Sequence, residues 1–536
     1  MSDNFRLDEE ASTQRRSRIL DIDYLDTSLV ANKQIYSDIL TTDEMYQLKC
    51  LVLNTDQSHN LFGITSGTPQ STMKILTSRF NDKLNRFVLI SDSGFREYML
   101  LYDPPKQIVY QDININTKSS YDTISQISTI LNQVQADDML AYLVEQAHKL
   151  NSSDIHIETQ VEDVRVRFRI DGVLHVIARL SSDKYRVLIS AIASSGNIST
   201  SSNEAQQGHI SQRLTMADKS IIDVNVRLET VPTINGMDVV MRLFNMDQSR
   251  YNLDRLGLST NERQVVDSII KKPSGLVMIV GPTGSGKTTT LYSILNSLNS
   301  DECKIITIED PVEYQFEGIS QISVSTNSDN EGSSFADKLR AVLRLDPDII
   351  MVGEIRDADT ARTALQAALT GHLVLTTFHA SSASGALTRL SDMVGRNPLY
   401  ASSIKLIMAQ RLIRKLDDDI KVPYKPTDQE VTLIKRVVDS LPLNIPRPNI
   451  DNLQLFKPGK SDSNPFGFKS QIAIREQLTI TDSVRALITA PIEQIITSQA
   501  IEAAAIQDGM ITMIQDAILK VIDGQTTLDE IYRVIE

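Results

Sequence analysis

Hydrophobic and polar positions change their period along the chain, and each change marks a domain boundary. In Val164-Arg-Val-Arg-Phe-Arg-Ile170 apolar residues alternate strictly with arginines, which predicts a half-buried strand with Arg165, Arg167 and Arg169 on one face. Asp171-Gly172 supplies the positive φ angles of a two-residue hairpin turn, and Ile222 to Leu228 and Met237 to Phe244 repeat the alternation around Asn235-Gly236. With the helix expected over Met139 to Leu150, these strands predict an α/β domain over 137–245. Farther on, the alternation gives way to near-continuous apolar runs, Leu276 to Val280, Ile305 to Ile308, Ile349 to Val352 and Leu373 to Thr376. They are too short for helices and read as parallel strands buried on both faces. Helical stretches separate them, such as Asp359 to Leu369 with Asp357 as its cap and Gly371 past its end. The expected architecture over 257–416 is a doubly wound nucleotide-binding core, joined to the preceding domain by a hinge linker over 246–256.

The flanking segments carry weaker patterns. Residues 1–40 read as a flexible tail with one short amphipathic helix over Ile19 to Val30. Within 41–105 the apolar runs Leu48 to Leu53, Phe87 to Ile90 and Tyr98 to Tyr102 surround a helical stretch, Thr72 to Leu84, which predicts a small N-terminal α/β domain. Pro104-Pro105 and the polar residues after it predict a linker over 106–136. An irregular insert is expected over 417–475, because Asp417 to Ser470 holds seven of the 17 prolines and only one helical stretch, near Glu430 to Val438. The rest, 476–536, reads as helices, the last opened by a capping box in Thr527-Leu-Asp-Glu530.

Composition narrows the function. At 536 residues and 41% hydrophobic the chain can fill several cores. Its 54 basic and 68 acidic residues leave a net charge of −14, which argues against nucleic acid as the partner. No run approaches the ~20 apolar residues that cross a bilayer, and the start is polar, so the expectation is a soluble, cytoplasmic protein. Cys50 and Cys303 are too few for a disulfide framework and are expected as buried apolar residues. Between Tyr400 and Glu536 there is neither Cys nor His, so no zinc held by thiolate or imidazole is expected there.

The chemistry concentrates in the core. Gly281-Pro282-Thr283-Gly284-Ser285-Gly286-Lys287-Thr288 is a complete phosphate-binding loop between a strand and a helix, with Thr289 next in the helix. Its glycines turn backbone N–H groups inward on the phosphates of ATP, Lys287 offsets their charge, and Thr288 ligates Mg²⁺. Glu354, after Ile349 to Val352, is the metal-side acid, acting partly through water, and Glu309 ends a second strand where it can orient or deprotonate the attacking water. Spacing alone leaves open which of the two is the base. His372 and His379 bracket another strand; His379 falls at its C-terminal end, where it is either a γ-phosphate sensor or a histidine satisfied by local hydrogen bonds. Arg227 and Arg242 lie on the polar faces of their strands, either solvated or free to reach a γ-phosphate as arginine fingers.

Four boxes in order, the phosphate loop, Ile308 to Tyr314, Leu345 to Ala361 and Thr370 to Ala380, resemble the secretion ATPase superfamily of type II secretion and type IV pili. Upstream, Ser153 to Glu158, Arg167 to Gly172 and Val231 to Gly236 are similar to that family's second N-terminal domain. The resemblance implies a RecA-like P-loop core behind a PAS-like α/β domain, with catalytic roles for Glu309, Glu354, His372 and His379 and arginine fingers at Arg227 and Arg242. It also implies a homohexameric ATPase on the cytoplasmic face of the inner membrane, working through a platform protein and a docking protein on pilin or pseudopilin. The chain's length sets it apart from the family's shorter retraction motors and beside its long assembly and secretion motors; pilus assembly is the first expectation, the type II secretion motor the second and a DNA-transfer motor a remote third. Two departures stand out. The family's long motors carry a tetracysteine zinc knob where Asp417 to Tyr424 stand here, and His209 replaces an arginine after Gly208.

Overall fold

The structure, a computed structural model, describes residues 3–30, 33–36, 38–103, 127–131, 134–135, 138–215, 221–245, 251–324, 334–395, 397–461, 464, 466–491 and 497–535. They fall into two units, Met1–Tyr110 and Gln111–Glu536. Most of the linker expected over 106–136, and 246–250 of the expected hinge, lie outside the described residues.

The first unit runs α1 (Asp3–Leu20), β1 (Asp23–Tyr24), α2 (Thr42–Leu48), β2 (Cys50–Thr55), β3 (His59–Ile64), α3 (Gln70–Arg79), β4 (Leu84–Leu89) and α4 (Asp92–Tyr102), with sheet order β1-β4-β3-β2. Two expectations are corrected. The segment read as a tail is folded: β1 pairs in parallel with β4, and buried Glu10 on α1 accepts from the Tyr24 hydroxyl at 2.6 Å and the Ser91 hydroxyl at 2.7 Å. Its buried positions are polar, Glu10, Thr13 and Ser17, so no hydrophobic period betrays it, and the helix ends at Leu20 instead of starting at Ile19. Tyr98 to Tyr102 is the end of α4, whose first turn is capped by Ser91 accepting from the Gly94 N–H.

In the second unit, α5 (Met139–Lys149) leads into β5 (Ser152–Thr159), β6 (Val164–Ile170), β7 (Val173–Leu180), α6 (Ser182–Gly196), β8 (Gln206–Thr215), β9 (Ile221–Thr233) and β10 (Gly236–Asn245). These strands form an antiparallel sheet, β7-β6-β5-β10-β9-β8. The alternation acts as read. Ile155, Ile157, Val166, Phe168, Val226, Leu228, Val239 and Met241 bury one face, and Asp154, Glu158, the three arginines of β6, Arg227 and Arg242 share the other. Asp171 (φ 47°) and Gly172 (φ 80°) make the β6–β7 turn.

After the linker the chain forms α7 (Thr260–Ile270), β11 (Gly275–Val280), α8 (Lys287–Leu298), β12 (Ile305–Glu309), β13 (Ser320–Ser323), α9 (Phe335–Val342), β14 (Ile349–Val352), α10 (Ala358–Leu369), β15 (Leu373–Phe378), α11 (Ala383–Val394), α12 (Pro398–Ser403) and β16 (Ile404–Leu416). With β19 (Phe468–Thr479) these strands make a seven-stranded sheet, β13-β12-β14-β15-β11-β16-β19, parallel except for the β16–β19 edge. Burial on both faces explains the unbroken apolar runs: Leu276, Met278 and Val280 enter one core with α10 and α11, while Val277 and Ile279 enter another with α7 and α8.

The segment 417–475 is more regular than expected. Between β16 and β19 the chain makes β17 (Val422–Tyr424), α13 (Asp428–Asp439) and β18 (Leu455–Lys457), with β17 and β18 paired. Ile434, Val438, Leu441 and Leu455 join the large core, and Asp417 accepts from the Asn464 amide at 2.7 Å. The prolines interrupt the hydrophobic period without abolishing burial. α14 (Asp482–Ile488), α15 (Ser498–Gln507), α16 (Met513–Ile522) and α17 (Leu528–Ile535) complete the chain. The Thr527 box is half formed: its hydroxyl accepts from the Glu530 N–H, but the Glu530 carboxylate binds Arg414 on β16 and Arg533 instead of the cap. Those two guanidiniums outweigh the cost of burial and lower its pKa to about 2. Arg475 on β19, 2% exposed, donates to the carbonyls of Leu256 at 2.6 Å and Gly257 at 3.4 Å, fastening the end of the linker.

Candidate active site

The phosphate loop, Glu309, Glu354 and His379 all follow or end parallel strands at their carboxyl ends, because parallel pairing aligns every strand of the sheet in one direction. Gly281, Gly284 and Gly286 have φ of 154°, 77° and 80°. A side chain at Gly281 would come within 2.6 Å of the Gln410 carbonyl, so both conformation and space demand glycine there. Gly286 caps α8 without any side-chain bond, leaving the first helical N–H groups open to an anion. Lys287 Nζ donates to the carbonyls of Gly281 and Pro282, each at 2.9 Å. Desolvation lowers its pKa, and the nearby Glu354 charge opposes that shift. The loop is braced from β16 by buried Gln410, whose amide donates to the Ser285 carbonyl at 2.7 Å and accepts from Thr290 at 3.0 Å.

The acids divide by environment. Glu354 bonds Arg356 and faces His379 Nε2 at 3.6 Å. Glu309 is 4% exposed, and its carboxylate is engaged by Tyr292, Thr307 and Gln321. Its two oxygens are thus taken by buried donors, whereas the sequence reading has it orient or deprotonate the attacking water. Glu313 does face the cleft. It hydrogen-bonds the Thr288 hydroxyl and feels the charges of Arg242 and Arg227, while desolvation first and Glu309 second raise its pKa. Its residue surface is nonetheless open to water, which screens part of that shift. The only hint in the sequence was a second acid four residues after Glu309; Gln410 was a lone amide in an apolar strand.

His372 stands at the other end of β15. Its carbonyl accepts from Gly275, the first residue of β11, so roughly 17–20 Å of strand separates it from the loop. Its ring bonds the Ala367 carbonyl at 3.0 Å. The parallel register therefore puts the two histidines of this box at opposite ends of β15.

Arg227 and Arg242 are directly paired across β9 and β10. The pairing continues on both sides, giving one row of Arg169, Asp154, Arg242, Arg227 and His209 across the sheet. Arg227 pairs with Glu229 at 3.3 Å and Arg242 with Asp154 at 2.8 Å. His209, where the resembling family has arginine, lines a cavity of about 250 Å³ together with Pro311, Val312 and Glu313. Tyr251 of the linker packs against Tyr292, Tyr314 and Phe316 at 5.0–5.6 Å between ring centres, joining linker, α8 and the segment after β12. Cys50 is buried and Cys303 only half-buried. Among the described residues no helix is long and apolar enough to cross a membrane.

The model of the family described as "Type II/IV secretion system protein" matches residues 132–533. The chain belongs to that type II/IV secretion family. The putative type II secretion system protein E of Escherichia coli is 37% identical over 437 residues, covering 80% of this chain and 83% of that one. Type II secretion system protein E of Pseudomonas aeruginosa is 39% identical over 392 residues, 73% of each chain. Type IV pilus assembly ATPase PilB of Myxococcus xanthus is 35% identical over 425 residues, 79% of this chain and 72% of its own. In fold, the chain is similar to the ATPase DotB of Legionella pneumophila, with a TM-score of 0.54 at 23% identity over 75% of this chain and 96% of that one. As a secretion-family member with a RecA-like core, the protein is an ATP-binding, ATP-hydrolysing motor enzyme of the secretion and pilus class.

Proposed function

We propose that the chain is the subunit of a homohexameric ring that converts ATP hydrolysis into assembly of a filament of pilin-like subunits. The ring acts from the cytoplasmic face of the inner membrane, through a platform protein, with a docking protein bound by the N-terminal unit. The observation that carries this reading is the convergence of Lys287, Thr288, Glu313 and Glu354 at one sheet edge, with Arg227 and Arg242 acting on Glu313. The names of the E. coli and P. aeruginosa relatives favour a secretion pseudopilus as the first cargo; that of the M. xanthus relative supports a type IV pilus as the second.

In this mechanism the loop N–H groups and Lys287 hold the phosphates, and Lys287 exchanges its two carbonyl partners for phosphate oxygens. The Thr288 hydroxyl and the Glu354 carboxylate are hard oxygen donors at the loop, a set that fits Mg²⁺. When bound, Mg²⁺ neutralises charge on the β- and γ-phosphates. Glu313, open to water and adjacent to Thr288, takes the proton of the attacking water, and His379 holds Glu354 in place. Arg227 and Arg242 close on the γ-phosphate, their own or a neighbouring subunit's. The test is turnover of the wild type beside Glu354→Gln, with the mass measured in ATP and Mg²⁺. A six-subunit species whose turnover is lost in the variant supports the motor; a monomer with glutamate-independent turnover refutes it. Disruption in a host that both secretes and bears pili then separates the two cargoes by which one is lost.

A further inference from the structure

We propose that Asp154 is a positioning residue that holds Arg242 ready for the γ-phosphate, an inference that rests on the reading of Arg242 as an arginine finger. Asp154 belongs to the Ser153 to Glu158 segment, for which the mechanism above has no use. Its residue is 3% exposed, and its carboxylate is fixed from three directions. One oxygen accepts from Arg242 Nε at 2.8 Å; the other accepts from the Ser153 hydroxyl at 2.8 Å and pairs with Arg169 Nε at 3.2 Å. Neither oxygen can swing without breaking one of these part-buried contacts.

The atom of Arg242 that is held matters. Gripping a guanidinium through Nε leaves both terminal nitrogens clear, and that fork matches two oxygens of a phosphate. The Arg242 side chain is 52% exposed beyond its grip, and its charge reaches Glu313 beside Thr288. Arg227, its cross-strand neighbour, is tied only to a half-exposed Glu229 at 3.3 Å, a looser restraint. An unrestrained arginine must lose its side-chain freedom when it meets the phosphate, whereas Arg242 has lost most of it on folding. Arg169, on the other side of Asp154, keeps the buried carboxylate from being governed by Arg242 alone.

The experiment is a kinetic cycle on the full-length protein with Asp154→Asn, Arg242→Ala and the double variant, plus Arg242→Lys. Asparagine keeps the shape of Asp154 and removes its charge. In Asp154→Asn, kcat should fall about 10- to 100-fold while KM for ATP stays within about twofold. In the Arg242→Ala background the same change should do nothing further to kcat. Arg242→Lys, which keeps the charge but has no Nε to grip, should stay as slow as Arg242→Ala; full turnover there overturns the inference even if Asp154→Asn fails to fold. An equal loss from Asp154→Asn with and without Arg242, or no loss with Arg242→Ala impaired, overturns the positioning role alone. Normal kcat in Arg242→Ala overturns the finger reading and this inference with it.

Discussion

The phosphate loop and the charged face of the antiparallel sheet both hold cations where an anion is expected, by opposite means. Lys287 is held by two backbone carbonyls of its own loop, and its place follows from glycines within eight consecutive residues. Arg242 is held by a carboxylate 88 residues away, and its place follows from sheet register. The difference teaches where sequence reading succeeds. A site made by backbone conformation is written locally, whereas a site made by cross-strand partners exists only once the strands are aligned.

That contrast can be broken or sharpened by substitution. The largest effects are expected in the loop cleft: Lys287→Ala and Glu354→Gln should each lower kcat by about 1,000-fold or more, the first with weakened nucleotide binding and the second without. Retained turnover in Lys287→Ala, measured by phosphate release, would remove the loop from the chemistry. Arg227→Ala should cost about 1,000-fold in kcat at unchanged ring mass, and an unchanged rate would return it to a solvated surface arginine. Glu313→Gln should cost about 100-fold. Because desolvation and Glu309 raise the Glu313 pKa, and the carboxylate form is the active one, the acid limb of the wild-type kcat profile should lie above the usual carboxylate range and vanish in this variant.

Smaller effects concern stability. Glu309→Gln should lower stability by about 1–3 kcal/mol, read as a fall in denaturation midpoint, since it disturbs a buried acceptor of three donors. Glu530 has a depressed pKa, so its contribution is present above the ordinary value near 4.5 and is lost as the pH falls toward 2. Glu530→Gln should therefore flatten the acid side of the stability profile by about 3 kcal/mol. His372→Ala should change kcat by less than about twofold; a loss beyond tenfold would show that the far sheet edge reaches a neighbouring subunit's nucleotide.

Sequence periodicity reached the fold wherever burial was apolar. Both hairpins, the four parallel strands and the Asp357 cap follow directly from it. It missed α1 because the buried contacts there are made by Glu10, Thr13 and Ser17, and it undervalued 417–475 because prolines hide the period of Ile434 and Val438. In the site, motif order pointed to the loop, Glu354 and His379, and the structure sets His379 Nε2 3.6 Å from Glu354. Glu309 ends β12 and Glu313 follows it by four residues, and only packing reveals that Tyr292 bonds the first and Thr288 the second. His372 was drawn in by its box, although six residues of strand carry it to the other edge.

The Arg475 clamp on Leu256 and Gly257 carries a lesson for recombination between relatives. A crossover placed just after Gly257 divides the chain close to its obvious seam yet takes two carbonyls and the guanidinium that reads them, more than 200 positions later, from different parents. Chimaeras joined there should exchange cargo-facing parts cleanly only when the recipient also supplies an arginine on its final strand; otherwise the seam becomes a loose joint, and the stroke of one half is spent before it reaches the other.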